Sequence, residues 1–221
     1  KGLGPDVETS SLIVVRDTSG SMTYNATGTN MSSYGIAKAL ALYFASFLKG
    51  KFANSWIEFN SGALLHQWSG KSPIEKWFND HTSTVGNTDF QSVIKLFCQI
   101  KSQGIPESEF PSGILCISDG EFNSSSLSQT NVETARITLR HAGFSAQYVD
   151  DFVIVLWNIP NQYYGARSGT KFETYTGEAR NVFYYSGYSA SVVAFLTSKI
   201  KTAAELVDAA LNQEILNLIQ L

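Results

Sequence analysis

Cysteine is scarce in this 221-residue chain: it has two, Cys98 and Cys116. One sits in a helical pattern and the other in a strand pattern, both among apolar neighbours, so they read as small core residues. That excludes a disulfide framework and makes an intracellular, cytoplasmic setting the expectation over a secreted one. Prolines number five, and no Pro- or Gly-rich stretch divides the chain. One domain spanning 1–221 is therefore expected, with a core at about 12–197 and a helical C-terminal extension at 198–221. No apolar run is long enough to cross a bilayer, and the polar start from Lys1 to Asp6 does not resemble a signal peptide. No initiator Met is present, so the chain reads as a fragment of a longer protein. Basic residues are few and scattered, the net charge is −3, and nothing forms a footprint for nucleic-acid phosphates. The three histidines, His66, His81 and His141, lack metal-ligand spacing and read as surface or satisfied side chains. Three sequons, beginning at Asn25, Asn30 and Asn123, are expected by chance in a chain so rich in Asn, Ser and Thr.

What is present is an ordinary globular composition, 43% hydrophobic and 16% charged, which excludes general disorder. The informative stretch is Val15-Arg16-Asp17-Thr18-Ser19-Gly20-Ser21-Met22. It follows the short, β-branched run Leu12-Ile13-Val14-Val15, which reads as a buried parallel strand. Asp17 then falls at the C-terminal end of that strand, the edge where open α/β sheets bind ligands. Gly20 is expected to let the backbone fold tightly enough for Asp17, Ser19 and Ser21 to converge. The loop thus reads as oxygen-lined, and hard cations such as Mg²⁺ take oxygen ligands.

Further along, residues 23–33 form a polar insertion expected to be a surface loop beside the site. Ile36, Leu40, Phe44, Phe47 and Leu48 recur at helical spacing, and Gly50 marks a stop. Residues 56–59 and 63–66 read as a hairpin around Asn60-Ser61-Gly62, and Ile74, Trp77 and Phe78 as a short helix. Thr88-Asp89-Phe90-Gln91 has the form of a capping box before a helix carrying Phe90, Val93, Ile94 and Phe97 on one face. Residues 113–118 form a second buried strand that runs into Asp119-Gly120-Glu121-Phe122. A helix at 131–142, strands at 152–157 and 182–185, and helical patterning from Ser189 onward complete the chain. Alternation of strands and helices implies a parallel sheet covered on both faces.

Asp17/Ser19/Ser21, then Thr88 after Gly86-Asn87, then Asp119 in Ser118-Asp119-Gly120 form an ordered set. It resembles the three motifs of the metal-ion-dependent adhesion site of von Willebrand factor A domains, over about 12–197. Gly86-Asn87-Thr88-Asp89-Phe90 and Ser118-Asp119-Gly120-Glu121-Phe122 resemble a poorly characterised group of such proteins in plants, fungi and large viruses. The Thr88-Asp89 pair also resembles the equivalent domain of the Ro ribonucleoprotein. The resemblance implies a Rossmann-like α/β fold, with a mostly parallel six-stranded sheet, one antiparallel edge strand and helices on both faces. It implies that Ser19 and Ser21 donate hydroxyl oxygens, that Asp17 and Asp119 bind directly or through water, and that Thr88 joins or leaves with conformational state. Gly20, Gly120 and Asp89 would stand behind these ligands. The ion expected is Mg²⁺, with Mn²⁺ and Ca²⁺ as alternatives. With two carboxylates and otherwise neutral ligands, it would accept an Asp or Glu side chain from a protein partner.

The plainer readings are that Ser19 and Ser21 only cap the following helix, and that Asp89 is a favourable charge in a first helical turn. Glu121 reads as solvated. Tyr163, Tyr164, Tyr184, Tyr185 and Tyr188 read as core or half-core rather than as a contact surface. Catalysis is disfavoured. A haloacid-dehalogenase-like phosphatase would need a second Asp where Ser19 stands, and no Gly-x-Ser-x-Gly elbow or His-Glu-x-x-His helix exists. The function expected is cation-dependent protein binding. The alternatives are a structural domain of a Ro-like parent with a stabilising or vestigial metal site and, after that, a phosphotransfer enzyme.

Overall fold

The apolar run that opens the described chain forms strand β1 (Leu12–Asp17), and all six of its residues are buried. In the computed structural model the described residues are 12–82, 84–120, 131–163 and 181–187, and all fall within a compact unit of residues Ser10–Gly187. Strand β2 (Ser55–Phe59) pairs in parallel with β1 and turns at Asn60–Gly62 into β3 (Ala63–Gln67), its antiparallel neighbour. Strands β4 (Gly113–Ser118), β5 (Val153–Asn158) and β6 (Val182–Ser186) continue in parallel on the other side. The order is β3-β2-β1-β4-β5-β6, which is the six-stranded, mostly parallel Rossmann-like sheet with one antiparallel edge strand. Because the chain leaves β1 toward one side and later returns beside it as β4, the strand order reverses between these two. That reversal opens a crevice at their C-terminal ends.

One face of the sheet, carrying Ile13, Val15, Ile57, Ile114, Cys116 and Ile154, packs on helices α3 (Phe90–Ser102), α4 (Asn131–His141) and α5 (Ala146–Asp151). Helix α3 buries Phe90, Val93, Ile94, Phe97 and Ile100, each side chain contributing about 1.5–3 kcal/mol of apolar burial. The opposite face receives α1 (Ser33–Ala45), whose Phe44 meets Trp157 edge to face, and α2 (Pro73–Asn79) follows the hairpin.

Helix α1 starts at Ser33, three residues before the expected Ile36, because the Ser32 hydroxyl accepts the Gly35 N–H. It ends at Ala45, so Phe47 and Leu48 lie beyond it. The capping residue of α3 is Asp89 rather than Thr88, with Asp89 Oδ1 accepting the Gln91 N–H at 3.1 Å. The short helix α5 had no strong apolar period to announce it. The helical patterning from Ser189 onward lies outside the described residues.

Candidate metal centre

Asp17 ends β1 and Asp119 directly follows β4. The pairing of Val15 with Cys116 and Arg16 with Ile117 brings both acids to the crevice. Asp17 is fully buried, Ser19, Thr88 and Asp119 are at most 4% exposed, and Ser21 is half-buried. The chain turns at once into a 3-10 turn, Gly20–Thr23, which folds the loop back so that the Ser19 and Ser21 hydroxyls lie 3.1 Å apart. The expectation for Gly20 is corrected here. Its φ is not positive and a Cβ there would meet nothing within 4 Å, so the 3-10 turn sets this loop rather than glycine's freedom. Gly120 is different. It has φ +88° and a Cβ would press on the Asn158 side chain, so the turn after Asp119 does require glycine.

Thr88 is carried on a loop laid against the first one. Val85 N–H donates to Thr18 O at 2.9 Å and Gly20 N–H to Gly86 O at 3.4 Å, while Asp89 N–H reaches Asn60 O at 2.8 Å. The three loops expected from the sequence are therefore side by side. Asp89 itself turns to its own helix, where its carboxylate caps α3.

Asp17 accepts the Ser118 hydroxyl at 2.6 Å on Oδ2 and the Ser19 N–H at 2.8 Å on Oδ1. No cationic side chain among the described residues reaches it. Burial, joined by the negative charge of Asp119, pushes its pKa up to about 7 despite those hydrogen bonds. Burial first, and Asp17 second, likewise hold the Cys116 thiol well above its ordinary value.

Ser118 and Asn161 complete the surroundings. The Ser118 hydroxyl, while donating to Asp17, accepts the Gly120 N–H at 3.1 Å. The buried Asn161 side chain donates to Asp119 Oδ2 at 2.9 Å. Ser118 adjoins Asp119 in the motif, whereas Asn161 lies 42 residues further on and has no local signal.

The donor set fits a hard dication. Two carboxylates and the hydroxyls of Ser19, Ser21 and Thr88 are all oxygen, the ligand type that Mg²⁺ prefers over the softer N and S donors of zinc sites. Among the described residues no group of three or more His, Cys, Asp or Glu is placed to hold a metal ion.

Sheet order and crevice define a Rossmann-like α/β fold, consistent with that of von Willebrand factor A domains, with polar loops at the strand-order reversal. The chain belongs to the family described as a domain of unknown function, DUF7788, whose model matches residues 11–216. No curated protein matches the sequence. Similar solved structures include the Ro (RSR) protein of Deinococcus radiodurans. It is 14% identical with a TM-score of 0.50, and the match covers 88% of this chain and 36% of that one. Another is an aerotolerance-related membrane protein of Bacteroides fragilis NCTC 9343 with multiple mutations to serines, at 16% identity and TM-score 0.43, covering 93% and 98% of the two chains. This chain spans about a third of the Ro protein's length, and the likeness is one of fold. Among the described residues no helix is long and apolar enough to cross a membrane.

Proposed function

We propose that this domain is a divalent-cation-dependent protein-binding module, not an enzyme. Asp17, Ser19, Ser21, Thr88 and Asp119 would hold Mg²⁺, and a partner's Asp or Glu would bind through it. The observation that carries the reading is Asp17: a fully buried acid facing a second acid and met only by hydroxyl and N–H donors. A bound dication would supply the positive charge that stabilises both ionised carboxylates, and a Lewis-acidic point for one more anionic oxygen. The chain's own residues do the rest. Ser118 and the Ser19 N–H orient Asp17, Asn161 orients Asp119, and the tie between Val85 and Thr18 keeps the Thr88 loop alongside. The free thiols Cys98 and Cys116 suit an intracellular setting.

A pull-down with the full chain as bait, in Mg²⁺ and in chelator, tests this. A partner captured in Mg²⁺ and released by chelator is expected. Equal retention in both would show that the surface rather than the ion does the binding, and would favour a second reading, a structural domain with a stabilising or vestigial metal site. The observation behind that reading is the depth of the ligands, since of the five only Ser21 is more than 4% exposed.

A further inference from the structure

The polar insertion at 23–33 is stitched to the segment after β5. Thr27 N–H donates to Pro160 O and Gln162 N–H to Asn25 O, both at 2.8 Å, and Ala26 forms a bridge with Asn161. This platform is joined to the candidate metal centre through one side chain. Asn161 Nδ2 serves Asp119 Oδ2 and also lies 3.4 Å from Ser21 O, while its Oδ1 accepts the Tyr163 N–H at 3.1 Å. Tyr24 N–H in turn donates to Ser21 O at 3.2 Å.

On this platform the rings of Tyr24 and Tyr163 stack at 4.9 Å with an interplanar angle of 11°. Both are exposed, Tyr24 at 41% and Tyr163 at 64%, and Met31 of the same insertion is also exposed. The expectation that Tyr163 is core or half-core is thus corrected: its backbone is tied to Asn161 and its ring stands on the surface. Exposed aromatic residues held on a fixed backbone lose little entropy on binding, which is why such residues anchor interfaces.

The surrounding charge narrows the partner. Segments 20–33, 84–88 and 158–163, which border the centre, contain no Lys, Arg, Asp or Glu. These three segments add no charge of their own to Asp17, Asp119 and the cation the two acids would hold. Against these segments a partner's contacts are apolar or hydrogen-bonding.

We propose that the Tyr24–Tyr163 pair is an aromatic docking platform beside the candidate metal centre. Its occupant is a partner protein segment in which an aromatic or aliphatic side chain lies within two positions of the acidic residue that reaches the ion. This rests on the cation-dependent reading above and adds the neighbouring side chain to it.

The test is selection of a random heptapeptide phage library on the full, Mg²⁺-loaded chain, eluted with EDTA, with Mg²⁺ affinity measured separately by calorimetry. Eluted sequences are expected to pair Asp or Glu with a nearby aromatic or aliphatic residue. A synthetic peptide of that consensus should bind Tyr163→Ala about three- to tenfold more weakly than wild type, with Tyr163→Phe retaining most of the affinity. Mg²⁺ affinity of Tyr163→Ala should stay within about twofold of wild type. An acidic consensus without an apolar neighbour, or equal peptide affinity in Tyr163→Ala, overturns the platform. A chain that binds Mg²⁺ yet yields no EDTA-eluted peptide also overturns it, while leaving the metal reading intact. A chain that binds no Mg²⁺ overturns both.

Discussion

Two buried aspartates, Asp17 and Asp80, have been given opposite chemistry by their neighbours. Asp80 directly follows α2, its side chain 2% exposed, with Arg16 Nη1 at 2.6 Å and Lys38 Nζ at 3.5 Å. Thr82 adds its hydroxyl at 2.7 Å and its N–H at 3.2 Å. Although burial opposes it, the Arg16 hydrogen bond and charge hold the Asp80 pKa down at about 2. Asp17 is no less buried, has hydroxyl and amide donors as well, and is pushed up to about 7. The difference is cationic charge. Arg16 and Asp17 are sequence neighbours on β1, but alternation sends the guanidinium to Asp80 and Trp56 and the carboxylate toward Asp119. Burial alone therefore does not mark a candidate site; what sets Asp17 apart is a second acid beside it and no cationic side chain among the described residues to neutralise it.

The sharpest way to break this comparison is to remove each acid in turn. Asp17→Ala should weaken Mg²⁺ binding by about 100-fold or more while leaving a folded metal-free protein, read by calorimetry and thermal melting. Asp80→Ala should do the reverse. Stranding Arg16 without its partner should cost about 3–5 kcal/mol in urea unfolding, with Mg²⁺ affinity of the folded protein unchanged. Replacing the pair together, as Arg16→Met/Asp80→Leu, should recover most of that loss.

Acidity should separate the two acids by sign. The metal-free fold holds a proton on Asp17 that the unfolded chain, with an Asp pKa of about 4, has released, so stability falls as pH rises from about 4 to about 7. Asp80 contributes stability that is present above about pH 4 and lost as pH falls toward about 2. Urea midpoints in EDTA should show these slopes, the first vanishing in Asp17→Asn and the second in Asp80→Asn. Because Mg²⁺ takes the ionised form, its apparent affinity should drop by about tenfold per unit below pH 7, with proton uptake by the buffer. The smallest effect expected is about tenfold weaker Mg²⁺ binding in Ser118→Ala, which removes the 2.6 Å hydrogen bond orienting Asp17 and leaves the carboxylate itself in place.

Strand runs such as 12–17 and 113–118 were legible because buried parallel strands are short, continuous and apolar, and the polar residues that follow them must then sit at the sheet's ligand edge. The three loops that converge could be named from local motifs alone. What local pattern could not show was partner choice across the chain. Arg16 finds Asp80 across 64 residues and Asn161 finds Asp119 across 42, and neither spacing has a period. The one-residue error at the α3 cap has a simple cause: Thr88 and Asp89 are both good caps, and Asp89 takes the role once the Asn60 contact sets the backbone. Tyr163 stands on the surface because its placement depends on the bridge between Ala26 and Asn161, which joins segments far apart in sequence and has no local signal.

The most direct test of the central claim is calorimetric titration of Mg²⁺ into chelator-stripped wild type and Asp17→Asn at pH 7.5. One site in wild type with proton release, absent from the variant, is the result predicted from the buried Asp17–Asp119 pair. No Mg²⁺ or Mn²⁺ binding by the wild type, or equal binding by Asp17→Asn, would contradict it.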